Sequence, residues 1–153
     1  MSKKQELLVI HCTATPEGRK VTKADIEQWH ITENGWSKVG YSDIVHLDGK
    51  LENLIDWNQD DVIDNWEISN GARGYNTIAR HVVYVGGSDK NRKPKDTRTF
   101  EQEQTLLTYV KFCILRNPKV KVCGHNQLSS KSCPSFDVPK WLRLECINEE
   151  NIY

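Results

Sequence analysis

Cys123-Gly124-His125-Asn126-Gln127-Leu128-Ser129-Ser130-Lys131-Ser132-Cys133-Pro134-Ser135-Phe136-Asp137 is the stretch on which the reading of this chain turns. It gathers a histidine, a lysine and a cysteine, and Pro134 restricts the backbone directly after the thiol. Imidazole nitrogen and thiolate sulfur are a typical zinc pairing. His125 and Cys133 are eight positions apart, too far for one helical turn, so both are expected on a loop that follows a strand. Two ligands do not make a site. A third is offered near the other end, in Leu7-Leu8-Val9-Ile10-His11-Cys12-Thr13-Ala14-Thr15, where an apolar run ends in His11. A buried strand that delivers a histidine at its C-terminal end presents it rigidly.

Three protein ligands and an open fourth position are the pattern of hydrolytic zinc. With a single thiolate among them the centre stays positive, so it remains a Lewis acid. Taken one at a time, Cys133 reads better as a buried thiol and each histidine as an ordinary polar residue. Spacing alone leaves both readings open.

Around this stretch the chain reads as one α/β domain, 1–153, with a central mixed sheet flanked by helices. Its 153 residues suffice for one core and are short for two. Residues 6–12 are expected as a buried strand. Thr22 and Asp25 form a capping box that opens a helix at about 23–34, with Ile26, Trp29 and His30 on one face. Asp48-Gly49 signals a hairpin between strands near 42–47 and 50–55. The acidic stretch 56–67 is expected to be irregular or briefly helical, anchored by Trp57, Ile63 and Trp66. Ile78 to Val85 reads as a strand. Thr99 and Gln102 cap the clearest helix, whose apolar stripe is Leu106, Leu107, Val110, Ile114 and Leu115. A short strand over 119–122 leads to His125, and Asp137 caps a last helix burying Trp141, Leu142 and Leu144.

Zero formal net charge argues against a nucleic-acid coat protein. The basic run Lys90, Arg92, Lys93, Lys95, Arg98 is expected to be a solvated loop. Five cysteines without paired spacing fit a reducing compartment. No run is long enough for a membrane span or a signal peptide, and with the cysteine count this leads to an expectation of synthesis in the cytoplasm; a monomer is also expected.

His11-Cys12-Thr13-Ala14-Thr15, Gly40-Tyr41, Gly74-Tyr75-Asn76, Val85-Gly86-Gly87 and above all Lys131-Ser132-Cys133-Pro134-Ser135-Phe136-Asp137 resemble the zinc-dependent N-acetylmuramoyl-L-alanine amidases (amidase type 2). That family includes phage lysozymes of the amidase kind and animal peptidoglycan-recognition proteins. The resemblance covers about residues 6–143, with the motifs in order. It implies that His11, His125 and Cys133 hold zinc, that Tyr41 assists catalysis and that Lys131 steadies an oxyanion. The implied reaction is hydrolysis of the amide between N-acetylmuramic acid and L-alanine in peptidoglycan, by a phage or prophage endolysin that reaches the wall through another protein. A recognition module without hydrolysis is the alternative, and the presence of Cys133 speaks against it. A cysteine hydrolase built on Cys133 and His125 would differ by surviving chelation, and a structural zinc site would need a fourth protein ligand.

The chain departs from the family pattern at three places. Ser42 stands where many members have a histidine after the tyrosine. Gly71 stands where phage amidases tend to carry a histidine ahead of the Ala72 segment, and no Gly-Arg pair is evident near Ile55-Asp56. These places belong to the expected substrate groove. His46 and His81 match no implied ligand and are expected to be structural or exposed, with His81 the closer of the two to the cleft.

Overall fold

The computed structural model describes residues 2–153. In chain order the elements are β1 (Lys3–Lys4), β2 (Leu7–Cys12), β3 (Thr15–Pro16), α1 (Lys23–Glu27), β4 (Asp43–Val45), β5 (Leu51–Asn53), β6 (Val62–Ile63), β7 (Ala79–Tyr84), β8 (Gly87–Ser88), α2 (Phe100–Arg116), β9 (Lys121–Gly124) and α3 (Val138–Leu144). The central sheet has the order β5-β4-β7-β2-β9, parallel except for the antiparallel β4–β5 hairpin. Two short ladders, β1 with β6 and β3 with β8, lie outside it.

Every residue of β2 and of β7 is buried, which is what a parallel strand covered on both faces requires. Alternation then sends side chains to opposite layers. Leu8, Ile10 and Cys12 join Val82 and Tyr84 under α2 and α3, packed against Leu106, Tyr109, Val110, Trp141 and Leu142. On the opposite face Val83 and Val85 pack with Ile26 and Ile44, and Leu7 and Val9 pack with Ala79 and Cys123. His11 and His81 follow Val9 and Ala79 on that second face.

The helices begin where their caps place them. Thr22 and Asp25 close a capping box on α1, Thr99 and Gln102 close one on α2, and Asp137 accepts from the Lys140 N–H at the start of α3. After Glu27 the first helix widens into a π-helical turn, Gln28–Glu33, which carries the buried His30.

Three apolar residues expected inside face solvent instead. Leu115 is 78% and Leu144 73% exposed. Each stands two positions past a buried residue (Cys113, Leu142), about 200° around the helix. Trp66 is 51% exposed, while Ile63 and the half-buried Trp57 hold the acidic stretch. The basic run also divides. Lys90, Arg92, Lys93 and Lys95 are exposed, whereas the Arg98 side chain is 6% exposed and paired with Asp96.

Candidate metal centre

The centre forms at the C-terminal ends of β2 and β9, where a parallel sheet leaves an open edge for chemistry. β2 is held between β7 and β9, so His11 is fixed by pairing on one side and by its neighbours on both. His125 begins a 3-10 turn directly after β9. Its ring centroid lies 4.7 Å from that of His11. The loop that follows brings Cys133 back over Cys12, whose backbone N–H points at Cys133 Sγ over 3.3 Å. The donor atoms of His11, His125 and Cys133 all lie within 4.8 Å of one another.

The set fits zinc. Bonds of about 2.0–2.3 Å in a tetrahedron separate ligand atoms by roughly 3.3–3.8 Å, and His11 Nδ1 stands 3.7 Å from Cys133 Sγ. Two imidazoles and one thiol form a borderline-soft donor set, suited to that ion. Among the described residues no fourth side-chain donor joins the cluster, which is the arrangement of a hydrolytic site and not of a closed structural one.

Burial keeps the histidines neutral. It drives His11 well below its ordinary range, with the charges of His81, His125 and Lys131 adding to the effect. His125 is lowered by the same burial and by Lys131. A neutral imidazole is the form that ligates a metal.

The two expected helpers stand around this cluster. Tyr41 is half-buried, its ring centroid 5.1 Å from that of His11. Burial, together with the nearby Cys133 and Cys12, pushes its phenol above the usual range, so it stays protonated and can donate. His30 backs the Tyr41 ring edge-on at 5.2 Å and takes the Gly40 N–H on its Nδ1 at 2.9 Å, which fixes the approach to Tyr41. Lys131 is exposed on the ligand loop, close enough that its charge acts on His11, His125 and Cys133. Ser42 is buried beside Tyr41. His46 lies apart from the cluster, paired with Glu52 at 3.0 Å.

The supporting groups were not legible as such. His81 is wholly buried and its Nδ1 lies 2.9 Å from His11 Nε2. Tyr84 donates its hydroxyl to the Pro134 carbonyl at 2.7 Å, and Ser135 donates to the Gly87 carbonyl at 2.8 Å, tying the cysteine loop to β7 and β8. Arg98 covers Phe136 on the same loop. Finding these from sequence requires the strand register, and no local pattern supplies it.

Comparison with known proteins bears on the family and the fold. No family model matches the chain. Over 144 residues it is 33% identical to the endolysin of Enterobacteria phage K11, covering 93% of this chain and 89% of that one. It is 31% identical over 136 residues to the endolysin of Escherichia phage T7, covering 89% and 84%. The N-acetylmuramoyl-L-alanine amidase LysC from Clostridium intestinale has the same fold, with a TM-score of 0.74 at 17% identity over 95% of this chain and 87% of that one. Peptidoglycan recognition protein-LE, solved in complex with tracheal cytotoxin, a monomeric diaminopimelic acid-type peptidoglycan, gives 0.67 at 19% over 86% and 74%. The chain belongs to the phage endolysin family and has the fold of the type 2 N-acetylmuramoyl-L-alanine amidases and peptidoglycan-recognition proteins.

Proposed function

We propose that the protein is a zinc-dependent N-acetylmuramoyl-L-alanine amidase, which frees stem peptides from the glycan of bacterial peptidoglycan. The observation that carries the reading is the convergence of His11, at the end of β2, with His125 and Cys133, on the loop after β9, within 4.8 Å. The endolysin relatives support a role in lysis of the cell wall. On this reading the protein is made in the cytoplasm and acts at the wall as a single-domain monomer, because one chain supplies every group of the centre.

Zinc bound there would polarise the scissile carbonyl and acidify a water molecule. The rest is the work of side chains. Tyr41, kept protonated, donates a hydrogen bond into the reacting region and orients the attacking group. Lys131 brings a positive charge to the oxyanion that develops on the lactyl carbonyl. Its exposed position on a loop lets it meet a substrate arriving from solvent. His11 and His125 hold their rings neutral, with a nitrogen of each available to the metal.

The deciding experiment is release of free stem peptides from purified walls, with metal content measured on the same sample. Zinc near one per chain, activity lost on chelation and regained with zinc, and no activity in Cys133→Ala are expected. Cleavage that survives chelation would instead support a thiol nucleophile. Bound zinc without cleavage of any wall type would leave a recognition module.

A further inference from the structure

We propose that His81 is a positioning residue that fixes both the tautomer and the rotation of His11, leaving His11 Nδ1 as the metal donor. The inference rests on the reading of His11 as a zinc ligand and adds a residue to which neither motif nor comparison assigns a part.

One backbone N–H, which can only donate, fixes the first proton of the chain. The Ala72 N–H donates to Asn76 Oδ1 at 2.8 Å, so the atom facing it must be the amide oxygen. That same oxygen lies 3.1 Å from His81 Nε2, which must therefore carry the proton. A neutral imidazole has one N–H, so His81 Nδ1 is an acceptor. It sits 2.9 Å from His11 Nε2, and only a proton on that nitrogen makes this a hydrogen bond. His11 Nδ1 is then left with its lone pair, 3.7 Å from Cys133 Sγ. One chain of donors and acceptors, from Ala72 through Asn76 and His81 to His11, thus ends on the metal-facing nitrogen.

The fold is shaped around this chain. In the β2–β7 register His81 pairs with Val9 and Val83 with His11, so the two histidines are diagonal neighbours on one face. His81 has room only because residue 71 is glycine. A Cβ at Gly71 would stand 2.4 Å from His81 Nδ1 and 2.5 Å from its Cγ. Ligand histidines in general hold their orientation through such a partner on the second nitrogen, and its loss weakens metal binding.

The test is the zinc dissociation constant of the whole chain, by chelator competition, read beside 15N spectra of the imidazoles in the metal-free protein. His81→Phe is expected to weaken zinc by about 10- to 100-fold. His81→Asn, whose amide oxygen can fall near the lost Nδ1, is expected to stay close to the parent. In the parent, both His11 and His81 are expected to carry their proton on Nε2. A proton on Nδ1 of either ring, or parent-like affinity in His81→Phe, overturns the proposal. Should His81→Phe fail to fold, Asn76→Leu removes the acceptor behind His81 and is expected to mix its tautomers and weaken zinc by about tenfold. Unchanged tautomers and affinity there also overturn it. A parent chain that takes up no zinc sinks the metal reading instead, and the 15N spectra of that same protein then decide the hydrogen-bond chain on their own.

Discussion

Arg98 sits over Phe136, its guanidinium carbon 3.4 Å from the ring centroid. Trp141 stands 5.0 Å away on the same cation, and Asp96 holds the guanidinium at 2.9 Å. The end of the basic run therefore clamps the loop that carries Cys133. A desolvated contact of this kind is worth about 2 kcal/mol. Arg98→Ala is expected to lower stability by roughly that amount and to weaken zinc binding. Arg98→Lys should restore little, because an ammonium lacks the flat face. Urea denaturation and chelator competition on both variants check this.

Metal removal should destabilise the parent and leave Cys133→Ala unaffected. A ligand at one hundred times its dissociation constant adds about 2.7 kcal/mol to a fold that alone binds it. Melting curves with and without chelator are expected to separate for the parent and to coincide for the variant.

Tyr41→Phe keeps the ring that packs on His11 and removes the hydroxyl. Zinc content should stay unchanged, with turnover falling by about a hundredfold. Equal turnover in Tyr41→Phe would remove the phenol from the chemistry. Steady-state release of stem peptides, with zinc measured on the same protein, gives the answer.

Gly71 and His81 share one volume, and substitution should show it. Gly71→Ala forces a methyl against the His81 ring and the Gly40 carbonyl and is expected to cost about 1–3 kcal/mol. Gly71→His should be worse alone and milder when combined with His81→Gly, giving a coupling of about 1–3 kcal/mol in a double-mutant cycle.

Acid should unfold the metal-free protein early. Burial, with His125 and Arg80 adding, pushes His81 down to about 3, and His11 and His30 are also lowered by burial. Unfolded histidines titrate near 6.5, so below that value the unfolded chain binds more protons and gains ground. Stability is full above about pH 6.5 and declines as pH falls toward the folded values. Between about pH 7 and pH 5, His81 alone should remove about 2 kcal/mol. Urea midpoints across that range should fall for the parent and fall less steeply for His81→Asn.

Much of the frame was legible because its signals are local. The apolar run at residues 7–10 and the Val-rich run before Gly86 read as strands between turn signals, and both are buried throughout. The side chains of Thr22, Thr99 and Asp137 mark helix starts without help from the rest of the chain. His11, His125 and Cys133 were marked as a candidate metal set by motif, and the geometry brings the three together. What escaped depends on register. Nothing around His81 reveals that Val9 is its partner across the sheet. The pairings of Lys3–Lys4 with Val62–Ile63 and of Thr15–Pro16 with Gly87–Ser88 are two residues long and lack a pattern. Arg98 looked like its neighbours in a basic run, and only its packing on Phe136 sets it apart.

The order in which the ligands occur along the chain has its own consequence. His125 and Cys133 follow His11 by 114 and 122 positions. β9, which must dock beside β2 to bring His125 to His11, is the last strand of the central sheet to be made. A chain that ends before β9 lacks the strand that brings His125 beside His11 and cannot close the centre. Synthesis must therefore pass β9 and the loop after it before the three side chains can meet.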